Sequence, residues 1–203
     1  MSFIISPPRI IRSAYKNAEW DIQTNNKEIF LTFDDGPTKK ITDWILDVLK
    51  DFEAKATFFC IGKNVIEYKK KFNRIINENH TVGNHTFNHL NGWKTDDNIY
   101  FKDIEFADKY INTQLFRPPY GRISFNQLKF LSKKKRVILW DVLSKDYDIN
   151  TKPEKVFDIV KNHAVNGSIV VFHDSIKAEK NMKFTLTRTL KHFYDLGYKF
   201  SKI

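Results

Sequence analysis

Two hydrophobic periodicities alternate along this chain of 203 residues. Short apolar or β-branched runs, which are typical of buried strands, lie at 28–33, 55–59, 81–83, 113–116, 136–140, 168–172 and 197–201. Segments with helical spacing lie between them, at 41–52, 63–79, 96–112, 125–132, 153–165 and 184–196. We expect Thr38 to cap the first of these helices. Strands that alternate with helices predict an α/β fold built on a parallel sheet, either open or closed into a barrel.

The composition is that of a globular domain. The chain is 41% hydrophobic and contains 18 Phe, 8 Tyr and 4 Trp, which excludes an intrinsically disordered protein. No stretch rich in Gly, Ser or Pro divides it, so we expect a single domain. No apolar run approaches the roughly 20 residues that span a bilayer, and two prolines interrupt the opening MSFIISPPRI. We therefore expect neither a transmembrane helix nor an ordinary export signal.

The net charge of +10 suggests an anionic neighbour, such as nucleic acid, a membrane or an acidic polymer. The basic residues are scattered or form short runs such as 69–71 and 133–136, which are typical of solvated helix faces. No nucleic-acid-binding motif accompanies them, so we expect no nucleic-acid partner. Cys60 is the only cysteine, which excludes an intrachain disulfide, and its apolar surroundings predict burial rather than reactivity.

Polar side chains follow five of the predicted strands. They are Asp34 and Asp35, His85, Arg117, Asp141 and Asp146, and His173 and Asp174. In parallel α/β folds, ligands and catalytic groups collect outside the carboxyl ends of the strands. We therefore expect these side chains to converge on one site.

A pair of histidines in the segment GNHTFNHL has the spacing of metal ligands. His85 and His89 stand four residues apart, which places both imidazoles on one side of a helical turn. Such a pair is common by chance and indicates little by itself. The adjacent carboxylates of Asp34 and Asp35 repel each other and favour a nearby cation, and they offer an anionic third ligand. One Asp with two His is a ligand set for a catalytic zinc or a similar divalent ion.

Six segments, taken together, resemble the polysaccharide deacetylases of carbohydrate esterase family four. In chain order they are LTFDDGP, KATFFCIGKNV, HTFNH, RPPYG, LWDVLSKDY and VVFHDS. The resemblance implies a single-domain distorted (β/α) barrel of about seven parallel strands at 28–203, with 1–27 as an N-terminal extension that packs on it. It also implies metal-dependent hydrolysis of acetyl groups, N-acetyl by default and less often O-acetyl, on a poly- or oligosaccharide.

The resemblance assigns the metal and the base to four residues. Asp34 matches the catalytic base, and Asp35, His85 and His89 match the metal ligands. One divalent ion per chain is implied. Zinc is the default ion, and cobalt, nickel and manganese are alternatives.

Four further residues match supporting roles. Tyr120 matches the position whose backbone N–H helps to hold the oxyanion, and Arg117 matches the residue that holds the base. His173 matches the general acid, and Asp146 matches the aspartate that orients it. Each of these four is therefore a candidate for the catalytic machinery.

The sequence departs from the family pattern at three apolar or aromatic positions. Leu143 stands where the family usually has an aspartate, and Tyr147 stands where it usually has a tryptophan. Val171 replaces a usual leucine in the last motif. We expect the wall of the acetate pocket to differ, whereas the metal ligands and proton-transfer residues are intact.

The expected partner is an acetylated glycan, which the basic surface allows to be anionic, and a monomer is favoured. Substrates of the family usually lie outside the cytoplasm, whereas the sequence by itself favours the cytoplasm, so the location stays open. Two other functions also stay open. One is a glycan-binding protein without turnover on the same scaffold, and the other is a basic nucleic-acid-binding protein, which only the net charge favours.

Overall fold

The computed structural model describes residues 5–203. Its strands are β1 (Ala18–Glu19), β2 (Glu28–Asp34), β3 (Ala56–Cys60), β4 (Thr81–Asn84), β5 (Leu115–Phe116), β6 (Arg136–Ile138), β7 (Val142–Leu143), β8 (Ile169–His173) and β9 (Lys199–Phe200). Its α-helices are α1 (Arg9–Ala14), α2 (Ile41–Asp51), α3 (Gly62–Glu67), α4 (Lys69–Asn77), α5 (Asp97–Ile111), α6 (Phe125–Leu131), α7 (Pro153–His163) and α8 (Glu179–Asp195).

The strands form one curled sheet in the order β1-β6-β5-β4-β3-β2-β8-β7, and β9 pairs with β2. Every pairing between these strands is parallel. The predicted α/β barrel fold is confirmed, with eight strands along the sheet rather than about seven. The two strands that the periodicity misses, β1 and β7, have two residues each and are too short to show alternation.

Alternation along the central strands separates the core from the site. Ile29, Leu31 and Phe33 of β2 belong to the main core that the helices cover, where Phe33 stacks on other phenylalanines. Phe30 points to the opposite face and joins a smaller apolar cluster inside the sheet. Because side chains alternate along a strand, the inner face of β2 continues through Thr32 to Asp34. The apolar cluster therefore lies beneath the polar end of the strand.

Two predicted helices and one predicted cap differ from the structure. The predicted helix 63–79 is divided at Tyr68 into α3 and α4, and α8 begins at Glu179 rather than at 184. The prediction for Thr38 was wrong, because the residue before α2 is Lys40 and it forms no side-chain cap. The Thr38 hydroxyl instead donates to the carboxylate of Asp174, 2.7 Å away.

The segment before β2 packs on the sheet. Strand β1 pairs with β6, and the backbone N–H of Ile22 donates to the carbonyl of Gly167 at 2.9 Å. Arg12 forms ion pairs with Asp21 and Asp141. The first four residues of the predicted extension lie outside the described residues, and its boundary at 27 stays a prediction. No helix among residues 5–203 has the length and apolar character needed to cross a membrane.

Candidate metal centre and catalytic site

The loops after β2 and β4 bring three candidate metal ligands together. One ligand atom from each of Asp35, His85 and His89 lies within 4.8 Å of the others. The Nε2 atoms of His89 and His85 lie 3.2 and 3.8 Å from Asp35 Oδ1. The expected helical turn is wrong, because β4 ends at Asn84 and the chain continues as an irregular loop. Loop geometry, rather than helical spacing, turns the two imidazoles towards one point.

The protonation of these side chains fits a divalent cation. Burial lowers the pKa of His85 to about 4, so its imidazole is neutral at neutral pH. Its Nδ1–H donates a hydrogen bond to the carbonyl oxygen of Arg117, 2.8 Å away, which leaves the Nε2 lone pair for a metal. Burial raises the pKa of Asp35, but the hydrogen bond to His89 and the charge of His173 hold that pKa well below its usual value. Two imidazoles and one carboxylate form a donor set that suits zinc and related ions.

Unusual backbone geometry is concentrated at this centre. Asp35, His89 and Tyr120 have φ values of 78°, 59° and 60°, in the left-handed region that non-glycine residues rarely adopt. The carbonyl of Asp35 is held by the side chain of Asn64 at 2.8 Å. Gly121, with φ 61°, lies so close to Trp140 that an added Cβ would come within 2.4 Å of the indole ring. Strained backbone that persists at ligand and pocket residues is typical of functional sites.

Asp34 ends β2 and is held by a fully buried arginine. Arg117 Nη1 donates to Asp34 Oδ1 at 2.8 Å and to Thr32 Oγ1 at 2.7 Å. The rest of the guanidinium donates to the carbonyls of Ile138 and Leu139 at 3.2 and 2.9 Å. The guanidinium carbon also lies 4.0 Å from the ring centroid of Phe59, which closes the inner cluster beneath it. These contacts fix the Asp34 carboxylate beside the metal ligands.

His173 ends β8 and is paired with a buried aspartate. Its Nδ1 lies 2.7 Å from Asp146 Oδ1, and its backbone N–H donates to Asp146 Oδ2 at 2.7 Å. Burial lowers the pKa of His173, but the charge and hydrogen bond of Asp146 outweigh it and raise the pKa to about 9. The imidazole is therefore protonated at neutral pH.

The register of the sheet sets Asp34 and His173 side by side. They are partners in the parallel pairing of β2 with β8, and their strands end at the same edge. A cleft of about 360 Å³ opens there, lined by Asp34, Asp35, His85, His89, Tyr120, Gly121, Trp140, Leu143, Tyr147, Val171, His173, Ser175 and Lys177. Tyr147 meets the His173 ring edge to face, with ring centroids 4.9 Å apart. All three departures from the family pattern therefore lie in the cleft wall.

Arg117 and Asp146 lie behind the cleft and contact its lining residues Asp34 and His173, whereas the side chains of two other strand-end residues are turned to different partners. Asp141 instead accepts a hydrogen bond from Ser168 and pairs with Arg12. Asp174 is fully buried behind the loop that carries Asp35, where it accepts hydrogen bonds from Thr38 and Thr42. The expectation that all strand-end side chains converge was therefore too broad.

Asp174 packs against the loop that carries Asp35 and holds its backbone in place. Its backbone N–H donates to the carbonyl of Asp34 at 2.8 Å. A Cβ atom at Gly36 would lie 2.3 Å from Asp174 Oδ2, so only glycine allows the loop to approach this carboxylate. Burial raises the pKa of Asp174 to about 6. Sequence reasoning expected Asp174 in the common site and Thr38 at a helix cap and gave Thr42 no role, because the contact between the three depends on the fold.

The sequence pattern of the polysaccharide deacetylase family matches residues 21–138, which is more than half of the chain. The chain belongs to the polysaccharide deacetylase family. A peptidoglycan-N-acetylglucosamine deacetylase of Bacillus cereus is 33% identical over 190 residues, covering 89% of this chain and 88% of that protein. A second Bacillus cereus protein of the same name is 35% identical over 158 residues, covering 74% of this chain and 57% of that protein. The chain therefore spans nearly all of one relative and little more than half of the other.

The fold agrees with this membership. A crystal structure of a peptidoglycan N-acetylglucosamine deacetylase, in complex with 4-naphthalen-1-yl-N-oxidanyl-benzamide, superposes with a TM-score of 0.89 at 28% identity. The superposition covers 97% of this chain and 95% of that one. The predicted family and barrel fold are confirmed, and the family's name agrees with the predicted enzyme class.

Proposed function

We propose that the protein is a metal-dependent deacetylase that removes N-acetyl groups from N-acetylglucosamine-type units of a poly- or oligosaccharide. The observation that carries this proposal is a single cleft in which a three-residue ligand set lies beside an Asp–Arg pair and a His–Asp pair. The names of the relatives from Bacillus cereus support the sugar. A chitooligosaccharide deacetylase of Azorhizobium caulinodans, 31% identical over 161 residues, supports it as well.

The metal would be held by Asp35, His85 and His89, and we propose zinc, with cobalt, nickel or manganese as alternatives. A divalent ion in this position polarises a carbonyl group and makes nearby water more acidic. The carbonyl of Arg117 holds the His85 ring in the tautomer that such a ligand requires.

Asp34 acts as the general base in this proposal. It takes the proton of the attacking water, and Arg117, which also donates to Thr32, keeps its carboxylate oriented towards the cleft. The attack places negative charge on the former carbonyl oxygen. The backbone N–H of Tyr120, in the strained turn at the cleft edge, would donate to that oxygen.

His173 acts as the general acid. Its Nδ1–H is donated to Asp146, so the proton on Nε2 is the one available to the substrate. Because an amine leaves poorly as an anion, cleavage of the amide needs a proton donor that is charged at neutral pH. The raised pKa of His173 meets that requirement. The apolar wall of Leu143 and Val171 would contact the acetyl methyl group.

A release assay tests the proposal. Protein loaded with one zinc equivalent should release acetate from N-acetylglucosamine oligomers, and the product should carry free amines. A chelator should abolish release, and added zinc should restore it. Glycan binding without acetate release from any N- or O-acetylated glycan would instead indicate a non-catalytic binding protein.

A further inference from the structure

A second groove opens beside the catalytic cleft, and it is called here the basic groove. Its volume is about 170 Å³, and its polar lining includes Lys152, Lys177, Lys180 and Asn181. Lys177 also lines the catalytic cleft, so the two spaces share a wall. The basic groove therefore lies next to the cleft, with the Lys177 side chain between them.

The basic groove carries a concentrated positive charge. Among the described residues that line it, three carry ammonium groups and none carries a carboxylate. Within residues 5–203, Lys152, Lys177 and Lys180 form no ion pair. The nearest acidic neighbour on this loop, Asp148, accepts hydrogen bonds from Thr151 at 2.8 Å and from the Asn150 backbone at 3.1 Å. These hydrogen bonds lower the pKa of Asp148, and the charges of Lys145 and Lys177 lower it further. Asp148 therefore offsets part of the charge of Lys177, and Lys152 and Lys180 supply the positive charge for a ligand.

Hydrogen bonds hold the backbone of the basic groove in place. Asn181, which is 5% exposed, donates from Nδ2 to the carbonyls of Asp148 and Thr151, both at 3.1 Å. This side chain ties the loop before α7 to the start of α8. Lys152 and Lys180 are consequently presented from two elements that are held together.

Apolar surface flanks the same loops. Ile149 and Ile176 are 72% and 83% exposed. Lys177 Nζ lies 5.9 Å from the ring centroid of Tyr147, which links the groove to the aromatic wall of the cleft. A ring with apolar faces and a charged substituent matches this combination of surfaces.

We propose that the basic groove is a subsite for a carboxylate on the sugar next to the one that is deacetylated. The inference rests on the proposed function, because the glycan in the cleft delivers that sugar to the groove. Charge complementarity and the shared wall at Lys177 both favour an acidic sugar over a neutral one. The subsite would make the enzyme prefer an acidic glycan.

The test compares two oligosaccharides that differ only in charge. Each contains N-acetylglucosamine next to a carboxylate-bearing sugar, as the free acid or as its methyl ester. For the wild type, kcat/KM should be higher for the acid. The Lys152→Gln and Lys180→Gln variants should each lower kcat/KM for the acid about two- to fivefold, through KM, because one exposed ion pair is lost. Turnover of the ester should not change.

A matched control distinguishes the effect of a lysine in the basic groove from the effect of the overall charge of the protein. Lys161→Gln removes one exposed charge from α7, outside the groove, and should leave the ratio of acid to ester unchanged. Equal effects of all three substitutions would overturn the subsite in favour of general attraction. So would a wild-type enzyme that does not distinguish the acid from the ester.

A direct measurement of binding tests the basic groove even if the proposed deacetylase activity is wrong. Absence of acetate release from both oligosaccharides would contradict the proposed function. Titration calorimetry would then still compare the acid with the ester. Tighter binding of the acid that Lys180→Gln weakens would support the groove, whereas equal binding of both would refute it.

Discussion

Replacing Asp146 with Asn should move the alkaline limit of activity to lower pH. In the wild type both oxygens of Asp146 accept hydrogen bonds, one from the His173 backbone N–H and one from the ring Nδ1–H. The backbone N–H of His173 can only donate a hydrogen bond, so in the variant its acceptor should be the side-chain oxygen of the introduced asparagine. The amide NH₂ group then faces Nδ1 and favours the neutral imidazole.

The size of the effect follows from the pKa of His173. Asp146 is the largest influence that raises this pKa, against burial, from 6.5 to about 9. This difference corresponds to about 3 kcal/mol of preference for the imidazolium. If the pKa returns to 6.5, the protonated fraction at pH 8 falls from about nine tenths to about one thirtieth. At pH 6 it falls only to about three quarters, so most of the activity should return there.

The assay is kcat for acetate release between pH 5.5 and 10, with zinc content measured for each sample. His85, whose pKa is lowered to about 4 by burial, stays neutral over this range, as its proposed role as a metal ligand requires. Asp158→Asn removes an exposed charge on α7 and is the matched control, which should keep the wild-type profile. An NMR titration of the His173 ring would report its pKa without turnover. If Asp146→Asn lowers kcat equally at pH 6 and pH 8, the aspartate only positions the ring and this reasoning is refuted.

Three further substitutions test the centre and its support. His89→Ala should abolish zinc binding and turnover, and elemental analysis showing a full zinc equivalent would contradict its role. Arg117→Met should lower the free energy of unfolding in urea by about 3–5 kcal/mol, because it leaves the buried carboxylate of Asp34 unpaired, and an unchanged midpoint would contradict that. Burial raises the pKa of Asp174 from 3.8 to about 6, so its contribution to stability is most favourable below pH 4 and is lost as pH rises through 6. The free energy of unfolding of Asp174→Asn, relative to that of the wild type, should therefore increase by up to about 3 kcal/mol from pH 4 to pH 7, as measured in thermal melts. A difference in the free energy of unfolding that does not change with pH would show that Asp174 does not titrate in this range.

The sequence predicts the fold where apolar runs are long enough to show their period. Strands β2 and β8 combine apolar residues with a polar end, and both were predicted within one residue. Strand β1 has only two residues and depends on its pairing with β6, which no local pattern reveals. Thr38 is not a cap because α2 begins at Ile41, and its hydroxyl donates instead to the carboxylate of Asp174, 136 residues away, which no local pattern reveals.

The residues of the site likewise include some that the sequence reveals and others that only the fold reveals. Asp34 and His173 are visible in the sequence because polar residues follow apolar strands, and the resemblance supplies their proposed roles. Thr32 looks like an ordinary strand residue, and only the register shows that it shares a guanidinium with Asp34. Lys177 is one of many lysines in a basic chain. Its position between two cavities is a property of the folded surface.

The central claim is that one carboxylate of the adjacent pair holds a metal while the other moves a proton. Asp34→Asn separates the two roles, because Asp35, His85 and His89 are left in place. The decisive measurement is zinc content and kcat on the same Asp34→Asn sample. We expect one zinc per chain, as in the wild type, and a loss of kcat of about 10²- to 10⁴-fold. Loss of the zinc, or activity close to that of the wild type, would contradict the account.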